Sequence, residues 1–169
     1  MDKDFTLLYQ KYKEPIFSYI YYLSSNPTEA EEICQDVFLK VYLNIDKFEG
    51  RSSFKTWIYR IAKNTFLESK RKAKREILID EVHLFESSLI NRETTPEVNL
   101  LNREVHERIK ETFKRMEEKY KVYVILRDIQ NLSYQEISEI TDTKLNTVKV
   151  NIYRGRNEFQ KIYRELEGQ

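Results

Sequence analysis

The sequence predicts an all-α protein with two small helical domains joined by a flexible linker, the second domain ending in a helix-turn-helix. Three observations support this fold class. The 169 residues include only three Gly and three Pro, and 34% are charged, a composition that favours helices over strands. Apolar side chains recur at helical spacing in several segments. That periodicity fades between residues 76 and 99, so we place domains at residues 1–75 and 100–169.

Composition also makes several functional classes improbable. Cys34 is the only cysteine, so an internal disulfide is impossible and a reducing cytoplasm fits. With His83 and His106 as the only histidines, we expect no zinc site, and no phosphate loop or catalytic triad points to an enzyme or a small-molecule substrate. No apolar run approaches the roughly 20 residues of a membrane span, and the charged N-terminus does not resemble a secretory signal. We therefore expect a cytoplasmic protein without cofactor or direct membrane insertion.

The first predicted helix spans residues 3–24, where apolar side chains repeat along one face. Those side chains belong to Phe5, Leu8, Tyr9, Tyr12, Ile16, Tyr19, Ile20 and Leu23. Pro15 lies inside this helix and should kink or split it, because proline lacks the backbone N–H and crowds the preceding turn.

A second helix should begin after Asn26, which precedes a proline at the first helical position and an acid at the third, and should end near Asp46. At about 100° per residue it carries two separate stripes. The apolar stripe contains Ile33, Cys34, Val37, Phe38, Val41 and Ile45. The other stripe contains Glu32, Gln35, Asp36, Leu39 and Leu43. Two leucines beside three hydrogen-bonding side chains favour a docking surface over a merely solvated rim.

A basic helix should follow the loop Lys47–Ser53, with Ser52 or Ser53 as its cap. Residues 51–75 contain nine Lys and Arg but one Glu, a net charge of +8. Such a block on a helix indicates phosphate contacts, although a solvated face is the alternative. The helix, about residues 54–74, should bury Phe54, Trp57, Ile58, Ile61 and Thr65. It should turn outwards Thr56, Tyr59, Arg60, Lys63, Asn64 and Arg71.

The linker, residues 76–99, is rich in Asp, Glu, Ser, Asn and Thr and contains Pro96, with one helical turn expected around residues 77–85. Helical patterns resume at residues 100–118 and 120–129. Ser133 and Glu136 then form the signature of a capping box, and residues 142–144 form the turn between two short helices.

The last helix has an apolar and a basic side. Val148, Ile152, Gly155 and Phe159 fall on the inner face, where a close approach of the preceding helix would explain the glycine. The outer face carries Asn146, Lys149, Val150, Tyr153, Arg154 and Asn157. A narrow helix with donors near its N-terminus suits the DNA major groove. An ordinary helical hairpin would leave the outward Lys and Arg unexplained.

The order "AEEICQDVFLKVYLNIDKFEGRSSFKTWIYRIAKNTF", a linker, then "YVILRDIQNLSYQEISEITDTKLNTVKVNIYRGR" resembles regions 2 and 4 of bacterial sigma factors of the extracytoplasmic-function (ECF) group. The resemblance implies promoter-specific initiation with core RNA polymerase, on duplex and on melted promoter DNA. It also implies a membrane-anchored anti-sigma factor as a partner, and control by envelope stress or another external signal.

The resemblance assigns three sets of residues. Core polymerase would bind Glu32, Gln35, Asp36, Leu39 and Leu43. The melted −10 element would meet Phe48, Gly50, Arg51, Ser52, Ser53, Tyr59, Arg60, Lys63 and Asn64. The −35 duplex would meet Arg127, Asn146, Lys149, Val150, Tyr153, Arg154 and Arg156.

The competing hypothesis is a stand-alone helix-turn-helix regulator that binds an operator and uses its N-terminal half for sensing or dimerisation. An acidic docking helix beside a basic helix favours the sigma factor, because a sensor requires neither.

Overall fold

The computed structural model describes residues 2–79 and 100–168, which form seven α-helices. The helices are α1 (Asp2–Ser24), α2 (Pro27–Asn44), α3 (Phe54–Ile79), α4 (Leu100–Arg115), α5 (Glu118–Val124), α6 (Tyr134–Thr141) and α7 (Leu145–Glu167). A 3₁₀ turn, Ile45–Lys47, follows α2, and a π-helical turn, Ile125–Ile129, continues α5. Neither described range contains a strand, so the all-α prediction is confirmed. Residues 80–99 of the predicted linker lie outside the described residues.

The N-terminal domain packs α1, α2 and α3 around one apolar core. Helix α1 runs through Pro15 without splitting, because the buried Tyr12, Ile16 and Tyr19 hold both halves against the bundle. Asn26 caps α2 as predicted, since its side-chain oxygen accepts from the backbone N–H groups of Thr28 (3.0 Å) and Glu29 (3.2 Å). The apolar stripe of α2 is buried as predicted, except that Ile45 is only half-buried.

Two side chains of α3 lie on the opposite side from the one predicted. Ser53 is the cap, and its hydroxyl accepts from the backbone N–H of Thr56 at 3.0 Å. The prediction that Thr56 and Tyr59 point outwards is wrong, because both are buried. The Thr56 hydroxyl lies 2.9 Å from that of Ser53, and the Tyr59 ring packs edge-on against Tyr19. The periodicity of α3 alone gives no sign of these neighbours.

The C-terminal domain packs α4, α5 and the π-helical turn against α6 and α7. The predicted capping box is present: the Ser133 hydroxyl accepts from the Glu136 N–H at 3.1 Å, and Glu136 accepts from the Ser133 N–H at 2.7 Å. Asp142 adopts the left-handed conformation (φ 52°) that ends α6. Ile137, Ile140, Val148 and Ile152 are buried. The predicted helix-turn-helix is therefore confirmed as a structural unit.

Gly155 allows α7 to pack tightly against a helix other than the one predicted. A Cβ atom at Gly155 would lie 2.5 Å from a methyl carbon of Val124 and 3.3 Å from both Cβ and O of Tyr120. Both residues belong to α5, so the prediction that the preceding helix, α6, approaches Gly155 is wrong. Sequence spacing could not identify the partner, because α5 meets α7 only through the tertiary fold.

We expect Gly155→Ala to destabilise the protein, although alanine is the better helix former. Propensity favours Ala by about 1 kcal/mol, but the overlap with Val124 should outweigh this and leave a net loss of about 1–2 kcal/mol. Urea unfolding would measure the change. A Val124→Ala background lacks the overlapping methyl group. In that background, Gly155→Ala should lower the free energy of unfolding by less than half as much. Stabilisation by Gly155→Ala in the unaltered background would contradict the packing explanation.

Candidate nucleic-acid and polymerase interfaces

The docking stripe, Glu32, Gln35, Asp36, Leu39 and Leu43, lies on one exposed face of α2. Leu39 and Leu43 are 56% and 64% exposed. Exposed leucines beside carboxylates form a surface that a partner with apolar and cationic groups can bind.

A groove of about 650 Å³ between α1 and α2 continues this stripe. Gln35 and Leu39 form part of its wall, and its other walls are mainly aromatic. The aromatic residues are Phe5, Tyr9, Phe17, Phe38 and Tyr42. Burial in this wall raises the pKa of the Cys34 thiol to about 11, an effect that Lys13 reduces and Glu14 increases. Cys34 therefore stays protonated and unreactive at neutral pH. The aromatic walls were not recognised from the sequence, which gave only the exposed stripe.

The loop at residues 48–53 is held at one end by an aromatic cluster. The ring of Phe48 lies 5.6 Å from that of Phe54 and 5.1 Å from that of Trp57. Gly50 has φ +68°, with nothing within 4 Å of an added Cβ; open space and a left-handed backbone together suit a loop that a partner approaches closely. Arg51 is exposed and pairs with Glu49, and Ser52 is half-buried.

The side chains predicted on the outer face of α3 differ in their exposure to solvent. Asn64 is exposed and lies on a shallow pocket of about 330 Å³, which Trp57 also lines. Arg60 and Lys63 are half-buried, and Tyr59 is only 3% exposed. Burial lowers the pKa of Lys63, which the nearby Asp142 partly counteracts and Arg60 reinforces.

The outer face of α7 is open. Asn146, Lys149 and Arg154 are exposed, Val150 is 45% exposed and Tyr153 is 68% exposed. These five side chains lie on one face of the first two to three turns of α7. The opposite face, which carries Val148 and Ile152, is buried. Cations, an amide, an aromatic ring and an aliphatic group on one such face can together contact phosphates, base edges and a thymine methyl group.

Arg156 and Arg127 differ from the other predicted −35 residues because each has a partner within the domain. Arg156 donates two hydrogen bonds to the Asp128 carboxylate, at 2.9 and 2.6 Å. This bidentate pair raises the pKa of Arg156 and ties α7 to the π-helical turn. Arg127 donates to the carbonyl of Leu132 at 2.8 Å and stacks 4.8 Å from the ring centre of Tyr134. Arg127 therefore stabilises the loop before α6, and Arg156 stabilises the π-helical turn.

Contacts between the two domains were not predicted from the sequence. The Tyr59 hydroxyl donates to the side-chain oxygen of Gln130 at 2.7 Å, and the Gln130 amide donates to the Ser18 hydroxyl at 3.3 Å. Arg60 donates to the backbone carbonyl of Glu139 at 2.8 Å. Lys55 pairs with Glu136 at 3.0 Å. Helix α6 thus covers part of the outer face of α3.

Among the described residues, no helix combines the length and apolar character needed to cross a bilayer. The same part of the chain brings together no three His, Cys, Asp or Glu side chains that could hold a metal ion.

Comparison with known protein families identifies both halves of the chain. Residues 8–76 match the family model for Sigma-70 region 2, and residues 106–159 match that for Sigma-70 region 4. The ECF RNA polymerase sigma factor SigW of Bacillus subtilis (strain 168) is 34% identical over 161 residues, which cover 92% of this chain and 86% of the relative. The ECF RNA polymerase sigma-E factor of Escherichia coli (strain K12) is 32% identical over 161 residues, covering 91% and 83%.

A solved structure gives the same result. The sigma factor RpoE from Bartonella quintana, in complex with the anti-sigma factor NepR, superimposes with a TM-score of 0.79 at 25% identity. The match covers 96% of this chain and 98% of that one, so it includes both domains. CnrH, in complex with the cytosolic domain of CnrY, shares the fold at 15% identity and a TM-score of 0.69.

These relationships favour the sigma factor over a stand-alone operator-binding regulator. A region 2 domain with an exposed acidic and apolar stripe and a region 4 helix-turn-helix with an open basic face occur here in one chain and in that order. The chain belongs to the ECF group of the sigma-70 family and is a sigma factor for promoter-specific transcription initiation.

Proposed function

We propose that this sigma factor divides its task among three separate surfaces. The docking stripe on α2 binds core RNA polymerase, the outer face of α7 binds the −35 duplex, and the loop at residues 48–53 with the outer face of α3 binds the melted −10 strand. The observation that carries this division is the placement of an acidic and apolar stripe and two basic faces on three different helices.

Each surface suits the state of its ligand. Helix α7 exposes a narrow basic face of the kind that fits a major groove. The loop around Gly50 and the pocket beside Trp57 offer space and an aromatic plane, which a flipped base needs. Trapping an unstacked base offsets part of the cost of opening the duplex, a few kcal/mol per base. The factor itself performs no bond chemistry, and it acts in the cytoplasm, where the polymerase is.

We infer that an anti-sigma factor, anchored in the membrane, controls this chain in response to an external signal. The support is the likeness over both domains to a sigma factor solved with its anti-sigma factor. An anti-sigma factor that covered the docking stripe would prevent assembly with polymerase.

Run-off transcription with core polymerase on a library of randomised promoters would test the proposed function. We expect initiation to select two sequence blocks, one near −35 and one near −10, because two separate surfaces read the DNA. Initiation no greater than that of core polymerase alone would contradict the proposal. Selection of a −35 block without a −10 block would remove the assigned role of α3 and its loop.

A further inference from the structure

The C-terminal part of α3 is strongly basic and lies beyond the residues assigned to the melted strand. Residues 70–76 contain five Lys or Arg and one Glu, a net charge of +4. Every residue from 71 to 76 is exposed, so this part of the helix has no side buried against the bundle. A helix that is polar on all sides is ordinarily stabilised by many oppositely charged pairs along its own surface.

Oppositely charged neighbours are too few here to explain the basic residues. Lys70 pairs with Glu29 of α2 at 3.0 Å, and Lys72 pairs with Glu76 at 3.9 Å. The remaining three cations form no ion pair within the described residues, and they are Arg71, Lys74 and Arg75. We call these three residues the basic end of α3.

The basic end is unfavourable for the helix itself. Arg75 lies four residues after Arg71, and Lys74 lies three after it, so like charges are neighbours on one face and repel each other. The helix dipole does not account for these cations, because it favours them only in the last turn, and the last turn of α3 contains no basic residue. The basic end therefore does not stabilise the free chain, and an anionic partner would explain it.

The basic end lies on the same face of α3 as Asn64, an exposed side chain proposed to contact the −10 strand. Arg71 follows Asn64 by seven residues, which is close to two full turns, and Asn64 and the basic end together fall within an arc of about 100°. Along the helix axis, Arg71 and Arg75 lie about 10 and 16 Å beyond Asn64, at 1.5 Å per residue. At 3.4 Å per base pair, these distances correspond to about three to five base pairs of duplex.

The direction of the chain indicates which part of the promoter this end meets. Beyond α3, the chain continues to the helix-turn-helix domain, which the proposed function places on the upstream −35 element. The C-terminal end of α3 therefore points upstream, from the melted strand towards the duplex spacer between the two elements. Cations without a neighbouring amide or other base-reading group suit the phosphates of that spacer rather than its base edges.

We propose that the basic end of α3 binds the phosphate backbone of the promoter spacer immediately upstream of the −10 element. The contact is independent of sequence, so it adds affinity without changing which promoter is chosen. It holds the duplex at the edge of the melted region, so the strands separate next to a fixed point. This inference rests on the proposed function for its assignment of Asn64 and the neighbouring face of α3 to the −10 strand.

Two promoter fragments separate the spacer contact from the other DNA contacts. Both carry the −10 element selected in the run-off experiment, with its non-template strand unpaired, and both lack the −35 element. The short fragment begins at the upstream edge of the −10 element, and the long fragment adds about ten base pairs, or about 34 Å, of spacer. We expect holoenzyme containing the unaltered chain to bind the long fragment about 10-fold more tightly, because up to three phosphate contacts are added.

Replacing Arg71, Lys74 and Arg75 together by alanine should abolish this difference. The two fragments should then bind within about twofold of each other, and the slope of log affinity against log salt concentration for the long fragment should become shallower by about 2–3. Alanine favours the helix, so circular dichroism should show no loss of helical content. A charge-conserving variant, Arg71→Lys with Lys74→Arg and Arg75→Lys, should bind as the unaltered chain does, because the contact depends on charge.

The matched control removes two arginines and one lysine from exposed positions of the other domain, by Arg103→Ala, Lys114→Ala and Arg164→Ala. It makes the same change in net charge, and it should keep the preference for the long fragment. If the control loses this preference as the alanine variant does, overall charge attracts the spacer and the proposal is wrong. Equal binding of the two fragments by the unaltered chain, or a preference that the alanine variant retains, would also overturn it.

Failure of this proposal differs from failure of the proposed function. If the run-off experiment selects both promoter blocks but the alanine variant still prefers the long fragment, the spacer contact is wrong and the sigma function stands. If the unaltered chain selects no −10 block, the outer face of α3 has no promoter strand, and the spacer contact is excluded before any variant is made.

Discussion

Replacing Asp36 by Lys and Leu39 by Glu together should weaken binding to core RNA polymerase about 100-fold and should abolish promoter-dependent transcription. Residues that anchor an interface contribute about 2 kcal/mol or more each, and about 2.7 kcal/mol corresponds to 100-fold in affinity. The first substitution reverses a charge at the middle of the docking stripe, and the second places a charge where an apolar contact is expected. Both side chains are exposed, so the bundle should keep its thermal stability.

Affinity for core polymerase can be measured by competition with another sigma factor, and run-off transcription gives the functional result. The matched control is Glu104→Lys with Val105→Glu in α4, which repeats the same changes in charge and polarity at an exposed acid and at a valine that is 42% exposed. This control should bind polymerase normally. Unchanged affinity in the α2 variant would exclude α2 as the docking helix and would return the operator-binding regulator to consideration.

Replacing Lys149 by Ala should weaken binding of the holoenzyme to its −35 duplex about 10- to 100-fold, which corresponds to the roughly 1–3 kcal/mol of a base contact. Lys149 lies on the exposed face of the second turn of α7, and the N-terminal part of a recognition helix is the part that reaches base edges. If Lys149 binds phosphate instead, Lys149→Ala should weaken binding to every DNA sequence equally. The slope of log affinity against log salt concentration should then become shallower by about one.

Lys161→Ala is the control for this prediction. Lys161 is exposed on the same helix but lies 12 residues further along, about 18 Å at 1.5 Å per residue. Titrations of selected and scrambled duplexes at several salt concentrations would distinguish base from phosphate contacts. Equal effects of the two substitutions would mean that α7 attracts DNA only through its overall charge.

Local structure was largely predictable from the sequence because its signals are local. The cap at Asn26, the capping box at Ser133 and Glu136, and the buried stripe of α2 each follow from spacing within one helix. The exposed stripe on α2 was predictable for the same reason, because the spacing that assigns one set of side chains to the buried face assigns the others to the exposed face.

Contacts between distant segments were not predictable in this way. Tyr59 looked like an outward residue because its neighbours, Tyr19 and Gln130, are far away in sequence. Gly155 was assigned to the wrong helix for the same reason. The π-helical turn, which has an extra residue in its hydrogen-bonded ring between Gln130 and Ile125, has no sequence signature that spacing arguments detect.

Glu136 uses its two carboxylate oxygens for different purposes. Oε2 accepts from the backbone N–H of Ser133, and Oε1 pairs with Lys55 of the other domain. Burial alone would raise the pKa of Glu136, but its bonds to Ser133 and Lys55 lower it below the ordinary value, so the group stays ionised at neutral pH. Withdrawal of Lys55 removes the cross-domain pair and leaves the bond to Ser133 in place. The capping box at the start of α6 is therefore independent of the cross-domain pair, so a change at Lys55 should leave the fold of the helix-turn-helix intact.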